Sequence, residues 1–178
     1  MSSLAFEAMV FAREVHGGQV RKYTGNPYAD HLAEVAGIAM SVGWRACEVH
    51  PDVLMAVCWL HDSMEDQGIS HSILMDRFGV RVADGVQMLS DMEKGNRAER
   101  KAASRVRLAS APAWVQTIKC ADLISNTSSI VKHDPNFAVV YLEEKRLLLE
   151  VLTKADPRLL ALAKAQAAQA LPASPTTV

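Results

Sequence analysis

The residues 57–66 read Val-Cys-Trp-Leu-His-Asp-Ser-Met-Glu-Asp, and they bring a run of apolar side chains up to a cluster of ionisable ones. The run begins at Val53 and is unbroken to Leu60. A helix that is apolar all round belongs in a core. Carboxylates and imidazoles at its end are costly to bury unless they are paired or bind a metal. The stretch therefore reads as a buried helix, running from about Asp52 to Glu65, that delivers His61, Asp62, Glu65 and Asp66 into a cavity. On a helix, residues three and four apart share a face. Glu65 follows His61 by four and Asp62 by three, and Asp66 follows Asp62 by four. His61 and Asp62 can embrace one ion while the next turn offers carboxylates to water or substrate. A His-Asp pair alone reads as a solvated helix end. The apolar run before it and Glu65-Asp66 after it favour the functional reading.

Two further residues could complete a metal site. His31 opens a helix, and Asp122 lies between apolar neighbours inside another. Taken singly, His31 reads as a surface histidine near a cap, and Asp122 as one half of a salt bridge to Lys119. Taken with His61 and Asp62, they give two imidazoles and two carboxylates. Mixed nitrogen and oxygen ligation suits Mn²⁺, Fe²⁺ or Mg²⁺ better than a structural thiolate zinc site. Such an ion would retain open positions for water and substrate and would support hydrolysis at phosphorus. Glu65 and Asp66 are then placed to accept a proton or orient a nucleophile. No glycine-rich phosphate loop points to P-loop chemistry. His16, His50, His71 and His133 sit in polar or glycine-flanked contexts and are expected at the surface.

The elements that must position these groups read as helix after helix. Ser2 or Ser3 can cap a first helix to about Val15, which Gly17-Gly18 ends. A polar loop with Gly25 and Asn26-Pro27 follows, and no regular element is expected there. A helix of about residues 29–42 carries His31. Beyond the central helix, Ser70 caps a short helix to Phe78, and another spans about 80–89. A basic helix spans 97–109, with Arg97, Arg100, Lys101, Arg105 and Arg107, and its expected role is a solvated face. A largely buried helix from about Trp114 carries Lys119, Asp122 and Asn126. Asp134-Pro135 and Asp156-Pro157 pair a capping aspartate with a proline at the first helical position, and so start two more helices, to about Lys154 and Ala170. No period-two alternation, hairpin signal or repeat is present. The expected fold is all-α, a single domain over 1–171 with a disordered tail over 172–178.

Composition narrows the function classes. The chain has 178 residues, 49% of them hydrophobic, which suits one domain with a real core. Its net charge of −1 advertises neither nucleic acid nor an anionic membrane as partner. Cys47, Cys58 and Cys120 have no paired metal-site spacing, and buried reduced thiols fit a reducing cytosol. No secretory leader pattern or membrane-length apolar run is evident. A soluble cytoplasmic protein is the expectation; oligomeric state is not legible.

One order of residues carries a resemblance. A histidine, then His-Asp, then a distant aspartate on a later helix resembles the ligand order of the HD phosphohydrolase superfamily. The string from His16 through Arg21-Lys22-Tyr23-Thr24-Gly25 to Tyr28, then His31, Leu60 to Asp66, Phe78-Gly79 and Lys119 to Asn126 resembles the hydrolase domain of Rel/SpoT proteins. The likeness covers roughly residues 4–155 and looks like that of a stand-alone small alarmone hydrolase. It implies an HD-type helical bundle of about eight to ten helices. It further implies His31, His61, Asp62 and Asp122 as Mn²⁺ ligands, Glu65 and Asp66 as the water-activating pair, and Arg21, Lys22 and Asn126 as substrate contacts. The implied reaction removes the 3′-pyrophosphate of guanosine tetra- or pentaphosphate. Two departures stand out: Leu32 follows the first histidine where the family usually has proline, and Leu89-Ser90-Asp91 stands for Leu-Thr-Asp. The alternatives are an HD phosphohydrolase of another nucleotide or phosphorylated cofactor, and a non-catalytic nucleotide-binding module.

Overall fold

Capping chemistry decides where this chain turns, and a computed structural model describes residues 3–43 and 48–170. Helix α1 (Leu4–Val15) starts at Ser3, whose side chain accepts the Phe6 amide. Helix α2 (Tyr28–Gly43) follows the polar loop, in which Val20 and Pro27 form an isolated antiparallel bridge, a small element the glycine and proline signals hid. Pro51 opens α3 (Pro51–Leu60). A turn leads to the short α4 (Ser63–Gln67), stopped by Gly68 at φ +65°, a conformation that favours glycine. Ser70 caps α5 (His71–Phe78), and α6 (Val80–Leu89) follows. Asn96 and Glu99 form a reciprocal capping box on α7 (Arg97–Ser110). Then come α8 (Ala113–His133), α9 (Pro135–Val151) and α10 (Pro157–Ala170). Asp134 and Asp156 accept the amides of Phe137 and Arg158, as the paired Asp-Pro openings predict. The fold is all-α, and the described residues contain ten helices and no strand.

Helices α3 and α8 are the two central elements. In α3, Leu54 and every residue from Ala56 to Leu60 are buried, as expected of a helix apolar all round. Helix α1 packs on α3, and α2 lies between α3 and α8, while α9 and α10 cover the other side of α8. Buried Gln116 donates to the carbonyls of Leu108 and Ala111, satisfying the end of α7, and accepts the Lys154 amide. That bond holds the chain beyond α9, which stops at Val151 rather than near Lys154. Cys58 and Cys120 are buried, and burial pushes the Cys120 thiol up to about 12. Cys47 and the tail 172–178 lie outside the described residues. No helix of the described residues is long and apolar enough to cross a membrane.

The central helix is shorter than its sequence suggests. It ends at Leu60, and α4 is a separate element. Side chains break it: His61 Nδ1 donates to the Cys58 carbonyl at 2.8 Å, and Ser63 Oγ donates to the Leu60 carbonyl at 2.7 Å. Local side-chain bonds of this kind compete with the helical ladder. His61 and Asp62 occupy the turn between α3 and α4, where they face His31 of α2 and Asp122 of α8.

Two consequences are measurable. A Cβ on Gly85 would lie 2.4 Å from the Trp114 ring and 3.0 Å from a Val57 methyl. Gly85→Ala is therefore expected to destabilise the fold by about 1–3 kcal/mol through overpacking, read by denaturant unfolding. The second concerns Lys145, which is 1% exposed and donates to Thr127, Gln166 and the Leu123 carbonyl with no carboxylate partner. Burial pushes its ammonium down to about 8. The unfolded chain holds that proton to about pH 10.4. Between these values the unfolded state binds more protons, so the group's contribution to stability rises with pH. Wild type should thus gain on Lys145→Met from pH 8 to pH 10; a constant difference would contradict this.

Candidate metal centre

Three separate parts of the chain converge on one point. Helix α2 supplies His31, the turn after α3 supplies His61 and Asp62, and α8 supplies Asp122. His31 Nε2 lies 3.4 Å from Asp122 Oδ1 and 3.6 Å from Asp62 Oδ2. His61 Nε2 lies 3.0 Å from Asp62 Oδ2 and 3.9 Å from Asp122 Oδ1. One ligand atom from each of His31, His61 and Asp122 falls within 4.8 Å of the others.

The hydrogen bonds behind the imidazoles set their tautomers. The Cys58 carbonyl can only accept, so His61 Nδ1 carries the proton. His31 Nδ1 meets Ser125 Oγ at 2.9 Å, and that hydroxyl donates to Glu34 at 2.7 Å, so His31 Nδ1 also carries the proton. Both Nε2 atoms face the same buried space between the two aspartates, and neither has a hydrogen-bond partner. Such nitrogens, held from behind and facing two carboxylates, fit a divalent cation.

The electrostatics agree. Burial works against a charged His31, but the Asp122 and Asp62 carboxylates outweigh it and lift the imidazole to about 9. His61 is raised as well; burial opposes the shift and Asp62 drives it. The two aspartates are held well below the usual carboxylate range: Asp62 by the imidazoles, and Asp122 by Lys119 first and His31 next, in each case against burial. The point between these groups favours positive charge. Asp122 makes the expected salt bridge to Lys119 and keeps its other oxygen on the imidazole side. Its Oδ2 pairs with Lys119 Nζ at 2.8 Å, while its Oδ1, which accepts from Asn126 Nδ2 at 2.7 Å, faces the imidazoles.

The acidic pair lies on α4 at the lip of a cavity of about 310 Å³ that also reaches Asp62 and Asp122. Glu65 Oε2 accepts the Asp91 amide at 2.8 Å, and desolvation in the cavity raises its carboxyl. Asp66 Oδ2 accepts Gln19 Nε2 at 2.7 Å. Gln19 Oε1 in turn meets His16 Nδ1 and Gln67 Nε2, each at 2.6 Å. The expected surface position of His16 is therefore wrong. It is 2% exposed, because its ring stacks on Tyr28 at 5.2 Å while its Nδ1 holds Gln19.

Tyr28 is the residue that sequence reasoning undervalued. Its hydroxyl donates to Asp62 Oδ2 at 2.6 Å, and burial followed by the Asp62 charge keeps the phenol protonated far above its usual range. The signal was its position: three residues before His31 on one helix, hence on the same face. Arg21 is pinned rather than loose, reaching Glu34, Ser125 and Asn126 at 3.3–3.4 Å. Lys22 stays exposed, 3.9 Å from Asp134.

The basic helix also departs from expectation. Arg97, Lys101 and Arg105 of α7 line the cavity opposite the acidic pair, instead of forming only a solvated face. Arg107 is bound into Asp91, Glu93 and the Ser90 carbonyl. Asp91 gathers Lys101, Ser104 and Arg107; burial opposes its ionisation, yet Lys119 and Lys101 bring it down to about 2. A second recess, lined by Arg21, Lys22 and Tyr23, shares Tyr28, Asn126, Ile130 and Phe137 with the first. Together they form one groove that runs from the loop to α7.

Known proteins resemble this chain. Residues 8–136 match the HD domain family. The chain is 32% identical over 142 residues to a guanosine-3′,5′-bis(diphosphate) 3′-pyrophosphohydrolase of Aquifex aeolicus, covering 78% of this chain and 18% of that protein. It is 31% identical over 137 residues to the probable chloroplastic GTP diphosphokinase RSH3 of Arabidopsis thaliana, covering 72% and 18%. The chain thus spans about a fifth of the length of these relatives. A solved structure, described as a metazoan ortholog of SpoT that hydrolyzes ppGpp, superposes with a TM-score of 0.83 at 22% identity, covering 95% of this chain and 96% of that one. That likeness speaks for the fold, and the matched span takes in all four converging side chains and the acidic pair: the chain belongs to the HD domain family.

Proposed function

We propose that this protein removes the 3′-pyrophosphate from guanosine tetra- or pentaphosphate, releasing GDP or GTP and pyrophosphate, with Mn²⁺ held by His31, His61, Asp62 and Asp122. The observation that carries the reading is the pair of buried, unpartnered Nε2 atoms beside Asp62 and Asp122, two carboxylates that line the same cavity as Glu65 and Asp66. When bound, a divalent ion supplies Lewis acidity at a phosphoryl oxygen and makes water easier to deprotonate. The resemblance of the relatives named above to this chain supports the choice of guanosine substrate.

The chain's own residues divide the remaining work. Glu65 takes the proton from the attacking water; its raised carboxyl suits a general base. Asp66, fixed by Gln19, orients that water. Attack at the phosphorus linked to the 3′ oxygen breaks that P–O bond, and the electron pair leaves on the ribose oxygen. Lys119 stays protonated: burial resists its charge, but Asp122 and Asp91 prevail. It offsets negative charge that collects on the cavity floor. Asn126 and Arg21 are mutually hydrogen-bonded, and with Lys22 they line the recess assigned to nucleoside.

The direct test is purified protein with guanosine tetraphosphate and Mn²⁺, followed for GDP and pyrophosphate; no turnover in metal-replete protein at millimolar substrate contradicts the proposal. Glu65→Gln and Asp66→Asn should each lower kcat by about 10²–10⁴-fold with bound metal unchanged. His61→Ala and Asp122→Asn should lose the metal itself, read by elemental analysis; unchanged content in both would remove the ligand assignment. Tyr28→Phe should weaken metal affinity by about tenfold, as loss of a bond behind a ligating carboxylate does.

A further inference from the structure

At the outer wall of the cavity one ion pair bridges two helices. Arg97 of α7 donates from Nε to Glu144 Oε1 at 2.6 Å and from Nη2 to Glu144 Oε2 at 2.8 Å. Both side chains line the cavity, and the Arg97 guanidinium lies 5.1 Å from the Phe137 ring, which lines both this cavity and the nucleoside recess. Two parallel N–H···O bonds to a carboxylate are the arrangement in which a guanidinium also takes a phosphate. Glu144 therefore occupies the face of Arg97 that a phosphoryl group would need.

The neighbouring pair on α7 differs. Lys101 bonds to Asp91, but that carboxylate also holds Ser104 and Arg107, so it is committed to the scaffold. Arg97 and Glu144 bond to each other, with Arg97 45% exposed and Glu144 20% exposed. With Arg97 half-exposed, solvent screens the pair, so exchanging its partner costs the fold little.

We propose that Arg97 binds the phosphate group of the nucleotide that lies away from the metal centre, and that Glu144 is a built-in competitor for it. In the empty cavity Glu144 neutralises Arg97. When the 5′-phosphates arrive, they take over the guanidinium and Glu144 turns to solvent. Affinity is then reduced by the fraction of time the internal pair is formed. The inference rests on the guanosine-nucleotide reading above, but its test needs no turnover.

The probes are GDP and guanosine, titrated by calorimetry into wild type, Glu144→Gln, Arg97→Gln and Arg97→Lys, with thermal unfolding confirming that each variant is folded. Glu144→Gln should tighten GDP by about threefold, the scale of an exposed ion pair. Arg97→Gln should weaken GDP by about tenfold, the scale of a lost charged hydrogen bond, with Arg97→Lys in between. Guanosine should bind all four alike. If the pair only braces the two helices, both neutralisations weaken GDP, and that result overturns the inference; so does an unchanged GDP affinity in Glu144→Gln, an equal effect on guanosine, or no GDP binding at millimolar concentration. Protein that binds GDP as expected yet leaves guanosine tetraphosphate intact would keep this inference and lose the hydrolytic one.

Discussion

A buried carboxylate is tolerable only when its charge is answered, and Asp122 is the point on which the rest of this structure depends. It lies inside α8, on a helix buried along most of its length, with Lys119 one turn before it and Asn126 one turn after. Lys119 and Asn126 hold one oxygen each, and the oxygen bound to Asn126 also faces two imidazoles. A lysine three residues away cannot balance Asp122 and Asp62 together. The surplus negative charge draws the histidines toward protonation, and the same field favours a divalent ion. Helices α2 and α3 must pack closely against α8 for this balance to exist. The packing of the core and the chemistry of the site are thus one constraint.

Behind that balance stands a ring of neutral donors and acceptors. The Cys58 carbonyl, Ser125 and Tyr28 touch His61, His31 and Asp62 in turn without adding charge. Each fixes one orientation and leaves one lone pair free to face inward. Glu34 and Arg21 close the outer side of this ring through Ser125. Rotamers locked in this way are what a metal site requires of its surroundings.

The sequence made the helices legible because their boundaries are written locally. Ser70, Asn96, Asp134 and Asp156 are capping residues whose bonds span two or three positions, and the structure places helices where they indicate. The helical fold and the two apolar central helices follow from periodicity, while the grouping of His31, His61, Asp62 and Asp122 is what the resemblance to the HD ligand order implies. What stayed hidden depends on which partner a side chain selects once the chain is folded. His16 looks like a surface residue beside two glycines until Tyr28 stacks on it. The break at His61 needs the Cys58 and Leu60 carbonyls to be captured by side chains, a competition that an apolar pattern does not reveal. The cations of α7 have a helical charge pattern typical of a wet face, and only the placement of α9 and α4 around them makes a cavity wall.

The acidic pair sits on a helix of five residues. So short an element has almost no cooperative rigidity of its own. Glu65 is moored to the loop after α6, and Asp66 to the loop after α1. In the proposed reaction the angle at which water is presented would be set by two tethers external to α4. The two are not equivalent: Gln19 also holds His16, whose ring stacks on Tyr28, the donor to Asp62, whereas the Asp91 amide holds Glu65 from the far side. Editing the loop after α6 would thus retune the approach of water alone, and editing the loop after α1 would retune the ion's surroundings as well.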